Sequence, residues 1–545
     1  MQSPYKKYIP LLLIIAGCSL NSCGQEIKHQ VKTDTLSKEW NQTIPGNFSG
    51  QTKSVMDSTR LDAFFKSYPA LQNYAGRVRD FYRKRNYAFA WFDDGRLIEQ
   101  AGNLSNRVMN LQTDGIYKTV PYQNILDSLI HDIDFKTTKN RPDTRLELML
   151  TTQYFVFAKL AWGGMNALVS DSAKWYVPRK KVNYNDYLDS LSKSPTKRLS
   201  AGEPVYRQYE LLRGFLKKYL ALDASGQWST VDYSALLKPG DTAASVVKIK
   251  IRLFKLEDFH GDTLNNTYNN ELVTAVRQFQ DRNGQQPNGL LDKATITALN
   301  VPLKTRIKQI LVNMERSRWL PVRLNGDYLA VNIPEFQLHV YHADSLLWSC
   351  KVVVGQSVHQ TTVFYGEVKY VVFSPYWNVP QSIVLKEIIP GIRKDINYIQ
   401  KHDMEIIGYH GKIPVVRQKP GPENSLGLVK FLFPNTYDIY LHDTPMKSLF
   451  GENSRAFSHG CIRVVEPVKL ASFLLKNNPE WNAANMDEAM HSGKERYVTL
   501  KQKMPVFIAY FTAFTNRNGL LNFRKDIYNL DDHLAAMIVS GSGEY

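Results

Sequence analysis

The spacing of apolar residues changes once along this chain of 545 residues, near Tyr328. Before that point, apolar side chains recur every three or four residues, the period of a helix with one buried face. After it, apolar runs of strand length alternate with Pro, Gly and Asn, which end strands and form turns. A chain of this length is also too long for one hydrophobic core. We therefore expect a multi-domain α+β protein, helical in its first part and β-rich in its second.

The first helical region, residues 54–235, contains one helix whose two ends can be predicted closely. Thr144 and Glu147 have the spacing of a capping box, in which each side chain bonds a backbone N–H group at the helix start. Apolar residues then recur at helical spacing until Gly163 and Gly164, where the helix should end. The sequence of this region offers no recognisable catalytic set, so a helical scaffold is the expected role.

A second helical unit, residues 240–300, is short enough to be a separate module. Its helices are expected over Val246–Leu256, from Leu272 to a stop at Asn283 and Gly284, and from the capping residue Asp292 through Leu299. A small three-helix domain accounts for this pattern, and a plain helical insertion is the alternative. Residues 301–322 predict one more helix, which would pack back on the scaffold.

The β-rich part extends over residues 323–515 and would form one domain. Its strand-length runs begin at Tyr328 and end with a late strand over Met504–Phe514. Residues 383–426 interrupt the series with weaker strand signals and several Pro and Gly residues, so they could form a capping region over a site. Residues 516–545 are left as a C-terminal tail.

The start of the chain has the features of a bacterial export signal. Two lysines precede the apolar run Ile9–Ala16, which is too short to span a bilayer. Small residues and then a cysteine follow twice, at Cys18 and at Cys23, which resembles a lipoprotein signal whose cysteine becomes the lipidated first residue. Cys23 leaves the longer apolar stretch, so we expect a leader over residues 1–23 and a polar linker over 24–53. The protein would then be periplasmic and lipid-anchored in a bacterial cell envelope; an ordinary secretory leader is the alternative.

The chain is basic, with 68 Lys and Arg residues against 51 Asp and Glu and a net charge of +17. Such a charge favours an anionic partner: nucleic acid, an anionic membrane or an anionic wall polymer. The sequence has no Arg/Lys-rich helix or zinc knuckle, so nucleic acid is not expected as a partner. Beyond the leader only two of the four cysteines remain, Cys350 and Cys461. Cys350 lies in a strand-like run, where a buried thiol acts as a small apolar side chain.

Cys461 has the neighbours that a nucleophilic thiol needs. A thiol attacks as the thiolate and needs a base, which His442 could supply from the end of a predicted strand, 461 − 442 = 19 residues earlier. Gly460 would let backbone N–H groups approach a reacting carbonyl, and Arg463 could bind a carboxylate.

Zinc is the competing interpretation of the same segment, with His442, Asp443, His459 and Cys461 as possible ligands. The spacings typical of zinc sites are absent from the sequence. Asp443 also follows His442 directly on a strand, where successive side chains point apart. We therefore expect neither a metal nor another cofactor.

The sequence motifs match a known family. The order His442, fifteen residues, Ser458-His459-Gly460-Cys461, one residue and Arg463 resembles the signature of the L,D-transpeptidase catalytic domain. Pro375–Pro380, Lys419–Gly427 and Tyr440–Pro445 resemble the large, periplasmic, multi-domain branch of that family, and Leu272–Leu299 resembles the three-helix peptidoglycan-binding domain of bacterial wall enzymes. The resemblance implies a helical scaffold, a peptidoglycan-binding domain and a β-rich catalytic domain whose capping subdomain corresponds to residues 383–426.

The resemblance also implies a role for each matching residue. Cys461 would be the nucleophile and His442 the general base, oriented by the backbone carbonyl of Asp443. The remaining implied roles are an oxyanion pocket shaped by His459, Gly460 and the Cys461 amide with Ser458 in support, and substrate contacts from Arg463, Tyr440, Trp377 and Asn378.

The implied reaction is acyl transfer through a thioester. The thiol would attack the amide before the terminal D-Ala of a tetrapeptide stem and release D-Ala. A side-chain amine of a second stem would then resolve the thioester, cross-linking third residue to third residue. The implied partners are peptidoglycan stem peptides and glycan, and covalent inhibition by carbapenems is implied as well. Two alternatives stay open. The same fold and chemistry could use another acceptor, either water, as in an L,D-carboxypeptidase, or another amine, as in an enzyme that acts on wall-attached proteins. The chain could instead be a non-catalytic lipoprotein that tethers the membrane to the wall.

Overall fold

The structure, a computed structural model, describes residues 54–93, 95–132, 142–180, 183–184, 203–233, 235–321, 324–543 and 545. The expected leader and linker, with Cys18 and Cys23, lie outside these residues. Within them, no helix combines the length and the apolar character needed to cross a membrane.

Helices make up most of the described chain before residue 320. Their bounds are α1 Thr59–Ser67, α2 Ala75–Lys84, α3 Glu99–Met109, α4 Gln123–His131, α5 Thr144–Ala158, α6 Ala167–Ser172, α7 Arg207–Ala224, α8 Ala244–Lys255, α9 Asn270–Arg282, α10 Lys293–Leu299 and α11 Leu303–Trp319. Helices α8–α10 surround a hydrophobic core of their own. Helix α11 packs along α7 and lies in a larger core that the scaffold shares with the β-rich part.

The start of α5 differs from the predicted capping box. The capping side chain is that of Asp143, which accepts the backbone N–H groups of the first turn, so the prediction for Thr144 was wrong by one residue. Glu147 does not return to the helix start, because it is fully buried and accepts the backbone N–H groups of Ala90 and Trp91. Burial raises the pKa of Glu147 to about 7. Two buried N–H groups need an acceptor, and Glu147 bonds them instead of closing the local capping box.

The β-rich part is built on a sheet that closes on itself. The strands of the molecule are β1 Phe92–Asp93, β2 Arg96–Leu97, β3 Trp175–Tyr176, β4 Asp327–Asn332, β5 Gln337–His342, β6 Ser345–Gly355, β7 Val363–Phe373, β8 Trp377–Asn378, β9 Met404–His410, β10 Ile413–Gln418, β11 Val429–Leu432, β12 Leu441–His442, β13 Ala456–Ser458, β14 Ile462–Val464, β15 Arg496–Ala509, β16 Ala513–Thr515 and β17 Leu521–Phe523. The order β11-β12-β14-β6-β5-β4-β15-β7 returns to its start, because β7 also pairs with β11. Closure leaves these strands with few unpaired edges and gives the site a stiff mount.

The scaffold adds a strand to this sheet. β3, from the helical region, pairs in parallel with β7 through Trp175 and Val363. Trp175 is buried and its ring packs edge-on against Trp319 of α11 and against Phe511. A strand of two residues has no detectable alternation, which is why the sequence did not predict it.

The capping region forms a small sheet with its own apolar core. β9 and β10 make a hairpin within residues 383–426, and β8 joins it from outside that range. β9 buries Met404 but leaves Ile406, Ile407 and Tyr409 exposed, so its sequence lacks the alternation that marks a half-buried strand. The short helix α12 (Ile389–Lys394) belongs to the same unit.

The last part of the chain is more regular than the sequence indicated. After α13 (Pro467–Leu474) and α14 (Ala483–His491), β15 begins at Arg496, well before the predicted Met504, because a polar bulge interrupts its apolar pattern. The predicted strand to Phe514 divides at Ala509, and Phe514 belongs to the hairpin of β16 and β17. The predicted tail carries β17 and the helix α15 (Asp531–Val539). A buried ion pair of 2.7 Å between Asp531 and Arg316 holds this helix against α11.

Candidate active site

The pairing of two short strands assembles the site. β12 and β14 run in parallel, with His442 opposite Arg463 and Leu441 opposite Ile462. Side chains alternate along each strand, so the fully buried Leu441 and Ile462 point into the core. His442 and Arg463, the next residues along each strand, therefore point to the opposite face. Tyr440 and Cys461 precede them by two residues, so the same alternation places their side chains on that face. The rings of Tyr440 and His442 lie 5.7 Å apart.

His442 is held by the residue that follows it. Its Nδ1 donates a hydrogen bond of 2.5 Å to the backbone carbonyl of Asp443, and the ring is buried. The Asp443 carboxylate accepts the backbone N–H of Leu428 at 2.9 Å and forms an ion pair with Lys447. Gly427 adopts a φ of +62°, and a side chain there would clash with the same carboxylate. The carbonyl of Asp443 thus orients the imidazole of His442, and the contacts of its carboxylate hold Asp443 itself in place.

The electrostatics of the site favour an uncharged thiol and imidazole at rest. Burial, followed by the nearby charge of Arg463, lowers the pKa of His442 to about 3, although the carbonyls of Asp443 and Leu426 oppose this. Burial raises the pKa of Cys461 to about 11, although the backbone and hydroxyl of Tyr440 lower it. The Sγ of Cys461 donates to the carbonyl of Asp438 at 3.5 Å. Near pH 7 the imidazole of His442 is therefore neutral and able to accept a proton, and the thiol of Cys461 is protonated.

A tight turn presents Cys461. The hydroxyl of Ser458 donates to the Cys461 carbonyl at 2.5 Å and accepts the backbone N–H of Gly460 at 3.2 Å. Gly460 has a φ of +117°, a conformation that disfavours any residue with a side chain. The backbone N–H of Cys461 has no partner among the residues that the structure describes. This amide is therefore available to a developing oxyanion.

Arg463 has a guanidinium without a carboxylate partner in the described chain. Its Nη1 contacts the Met446 sulfur at 3.7 Å, and its buried Nε makes no hydrogen bond to any residue that the structure describes. Burial lowers the pKa of Arg463 but leaves it charged at neutral pH. A half-buried, unpaired guanidinium on the face of Cys461 suits a substrate carboxylate.

The other predicted site residues lie on the capping side. The Nε2 of His459 lies 3.2 Å from a carboxylate oxygen of Glu387, and its ring lies 5.0 Å from that of His359, so its contacts are not with His442. Trp377 and Asn378 form β8, where Trp377 packs into the core of the capping region and Asn378 is exposed. No hydrogen bond or ring contact joins either of them to Cys461 within the described parts of the chain. Those described parts also contain no group of three or more His, Cys, Asp or Glu that could hold a metal ion.

Sequence reasoning missed several residues that shape this site. Glu387, Thr361 and Lys447 contact residues of the motif from outside it. Lys447 lies near its partner in sequence, four residues after Asp443. The others are distant in sequence and carry no local signal.

Three family models match the chain. Residues 326–495 match the L,D-transpeptidase catalytic domain, residues 76–216 match a scaffold domain, and residues 242–299 match a model described as "Putative peptidoglycan binding domain". A curated relative from Haemophilus influenzae, named "Putative L,D-transpeptidase", is 31% identical over 284 residues. The match covers 48% of this chain and 56% of the relative, so the chain spans about half the length of the curated relative that it matches.

Solved structures of L,D-transpeptidases are also similar to this chain. That from Stackebrandtia nassauensis has 14% identity and a TM-score of 0.22, with 53% of this chain and 98% of that chain covered. That from Xylanimonas cellulosilytica has 13% identity and a TM-score of 0.18, with 51% and 99% covered. Together with the geometry above, the matches to the family models lead to one conclusion: the chain contains the catalytic domain of the L,D-transpeptidase family, a scaffold domain and a peptidoglycan-binding domain.

Proposed function

We propose that this protein is a peptidoglycan L,D-transpeptidase that joins the third residues of two stem peptides and releases D-Ala. One observation carries the proposal: the register of β12 and β14 puts His442, Cys461 and Arg463 on one face, with Nδ1 of the imidazole bound to the Asp443 carbonyl. Because Nδ1 is the donor, Nε2 is the nitrogen left to accept a proton.

In the first half-reaction the proton of the Cys461 thiol moves to Nε2 of His442 as Sγ attacks the carbonyl carbon before D-Ala. Charge develops on the carbonyl oxygen, where the unpaired Cys461 N–H can donate. The bond to the D-Ala nitrogen then breaks, and the imidazolium returns its proton to that leaving amine. Because the pKa values of the thiol and the imidazole are about 11 and about 3, a resting ion pair is disfavoured. Proton transfer therefore accompanies the attack.

In the second half-reaction an amine of another stem attacks the thioester. Its proton passes to His442 and then to the departing thiolate of Cys461, which restores both groups. The guanidinium of Arg463, which has no carboxylate partner among the described residues, supplies a contact for a carboxylate of a stem peptide. Water in place of the amine would give hydrolysis and the product of an L,D-carboxypeptidase.

Incubation with a tetrapeptide stem fragment, followed by mass spectrometry of protein and products, tests this function. The expected result is a thioester on Cys461, free D-Ala and a cross-linked dimer. Cys461→Ala should make none of these, whereas Cys350→Ala, which removes the other thiol of the described chain, should make all of them. Dimer formed by Cys461→Ala would refute the proposal. Tripeptide without dimer would indicate the carboxypeptidase, and wall binding without any acylation would indicate the tethering lipoprotein.

The same proposal places the protein in the periplasm of a bacterial cell envelope, anchored by a lipid on Cys23, and makes Cys461 a target of carbapenems. The peptidoglycan-binding domain over residues 242–299 supports a wall partner. Membrane fractionation of Cys23→Ala tests the anchor, with Cys18→Ala as the matched control. The proposal predicts that Cys23→Ala is released from the membrane and that Cys18→Ala stays bound. Release of Cys18→Ala alone would assign the lipid to Cys18, and release of neither variant would favour another form of export.

A further inference from the structure

The loop between β6 and β7 is bonded to the turn that carries Cys461. The backbone N–H of Gln356 donates to the Ser458 carbonyl at 3.0 Å, on one side of the turn. On the other side, the hydroxyl of Thr361 donates to the Gly460 carbonyl at 2.7 Å. The two bonds hold the carbonyls of Ser458 and of Gly460, which directly precedes Cys461, so the position of the loop sets the position of the turn.

Thr361 is itself held in a closed set of hydrogen bonds. Its hydroxyl accepts the backbone N–H of Gly355 at 2.9 Å while it donates to Gly460. The hydroxyl of Tyr528 accepts the backbone N–H of Thr361 at 3.1 Å and donates to the Gly355 carbonyl at 2.6 Å. Each hydroxyl has one proton, which Thr361 donates to the Gly460 carbonyl and Tyr528 donates to the Gly355 carbonyl. Both side chains are buried, so water cannot substitute easily for a lost bond.

Tyr528 is anchored by the end of the chain. Its backbone N–H donates to the Tyr510 hydroxyl at 2.9 Å, and that hydroxyl donates to Asp526 at 2.5 Å. The rings of Tyr510 and Tyr528 stack at 5.5 Å. Tyr528 lies beyond residue 495, where the match to the catalytic-domain model ends. The set therefore connects the C-terminal segment to the thiol turn.

We propose that Tyr528 and Thr361 are positioning residues for Cys461: they hold the loop that fixes the Gly460 carbonyl, and so aim the thiol and the adjoining amide at the substrate. This inference rests on the proposed function only in taking Cys461 as the acylated residue. Neither side chain touches the reacting atoms. Their effect is on the alignment of the turn, where a displacement of a fraction of an ångström reduces the rate of attack.

Two pairs of variants separate alignment from folding. Tyr528→Phe keeps the ring and removes both hydroxyl bonds, and its control, Tyr365→Phe, removes a hydroxyl that bonds Glu367 within β7. Thr361→Val keeps the shape and removes the hydroxyl, whereas Thr361→Ser keeps the hydroxyl. The measurements are kcat and KM for release of D-Ala, the rate of Cys461 alkylation by iodoacetamide at pH 8, and thermal melting.

We expect Tyr528→Phe and Thr361→Val to lower kcat about tenfold with KM within about twofold of wild type. Alkylation of Cys461 should slow by about threefold or more in the same two variants. Thr361→Ser and Tyr365→Phe should match wild type in every measurement. If Tyr528→Phe does not fold, the Thr361 pair decides alone.

The proposal is overturned if folded Thr361→Val keeps both rates within twofold of wild type, or if Thr361→Ser loses as much as Thr361→Val. A wild-type protein that releases no D-Ala would instead defeat the proposed function. The alkylation rates would then still decide whether Tyr528 and Thr361 position the thiol.

Discussion

The protonation state of Cys461 gives the sharpest prediction, because two models of a thiol nucleophile differ in their dependence on pH. The perturbation is pH itself, applied to alkylation of the thiol by iodoacetamide. In a resting thiolate–imidazolium pair, the rate would be constant above the low pKa of the thiol. In the uncharged pair described above, the thiolate is the minor form until the pH reaches its raised pKa.

The magnitude follows from that pKa. Burial moves the pKa of Cys461 from an ordinary value of 9.0 to about 11. At pH 7.5 only about three thiols in ten thousand would be ionised, on the order of a hundredfold fewer than for an ordinary cysteine. The reactive form is the deprotonated one, so the rate should rise about tenfold per pH unit from pH 6 to about pH 10.

The assay is mass spectrometry of the alkylated peptide in a Cys350→Ala background, which leaves Cys461 as the thiol of the described chain. Tyr440→Phe provides a second check, because the Tyr440 hydroxyl lowers the pKa of Cys461. Its loss should reduce the rate at every pH below 10 without changing the slope. A rate that stays constant between pH 6 and pH 8 would refute the reasoning and show a resting ion pair.

Four further substitutions test other parts of the structure. Arg463→Gln should raise KM for the tetrapeptide about tenfold or more, since a charge-assisted bond to substrate is lost, and an unchanged KM would exclude that contact. Gly460→Ala should reduce kcat strongly, because its φ of +117° costs a residue with a side chain about 1–3 kcal/mol; full activity would mean that the turn can relax. Trp175→Ala should lower the free energy of unfolding by about 3–5 kcal/mol in chemical denaturation, and a loss below about 1 kcal/mol would contradict its place between scaffold and sheet. Glu387→Gln should change kcat/KM by less than about fivefold, because the contact of its side chain with His459 is exposed; a larger loss would give the capping region a direct part in turnover.

Local patterns determined a large part of what could be predicted. The change of periodicity near Tyr328 separates the helical part from the β-rich part, and the side chain of Asp292 caps α10 as predicted. The spacing of the motif was enough to select His442, Cys461 and Arg463 as candidates for one site. Strand alternation, a property of the backbone alone, then accounts for their shared face once the pairing of β12 and β14 is known.

Only the tertiary structure decided which distant groups complete the site. Thr361 reaches Gly460 and Tyr528 reaches the β6–β7 loop across 99 and 167 residues of sequence, and Glu387 reaches His459 from the capping region. A hydrogen bond between residues that are distant in sequence produces no periodic pattern in the sequence. The pKa values of His442 and Cys461 depend on burial, which the whole fold sets rather than the neighbouring residues. The sequence alone therefore determined the residues available for chemistry, whereas their charge and alignment depend on the fold, because desolvation and long-range hydrogen bonds exist only once the chain has packed.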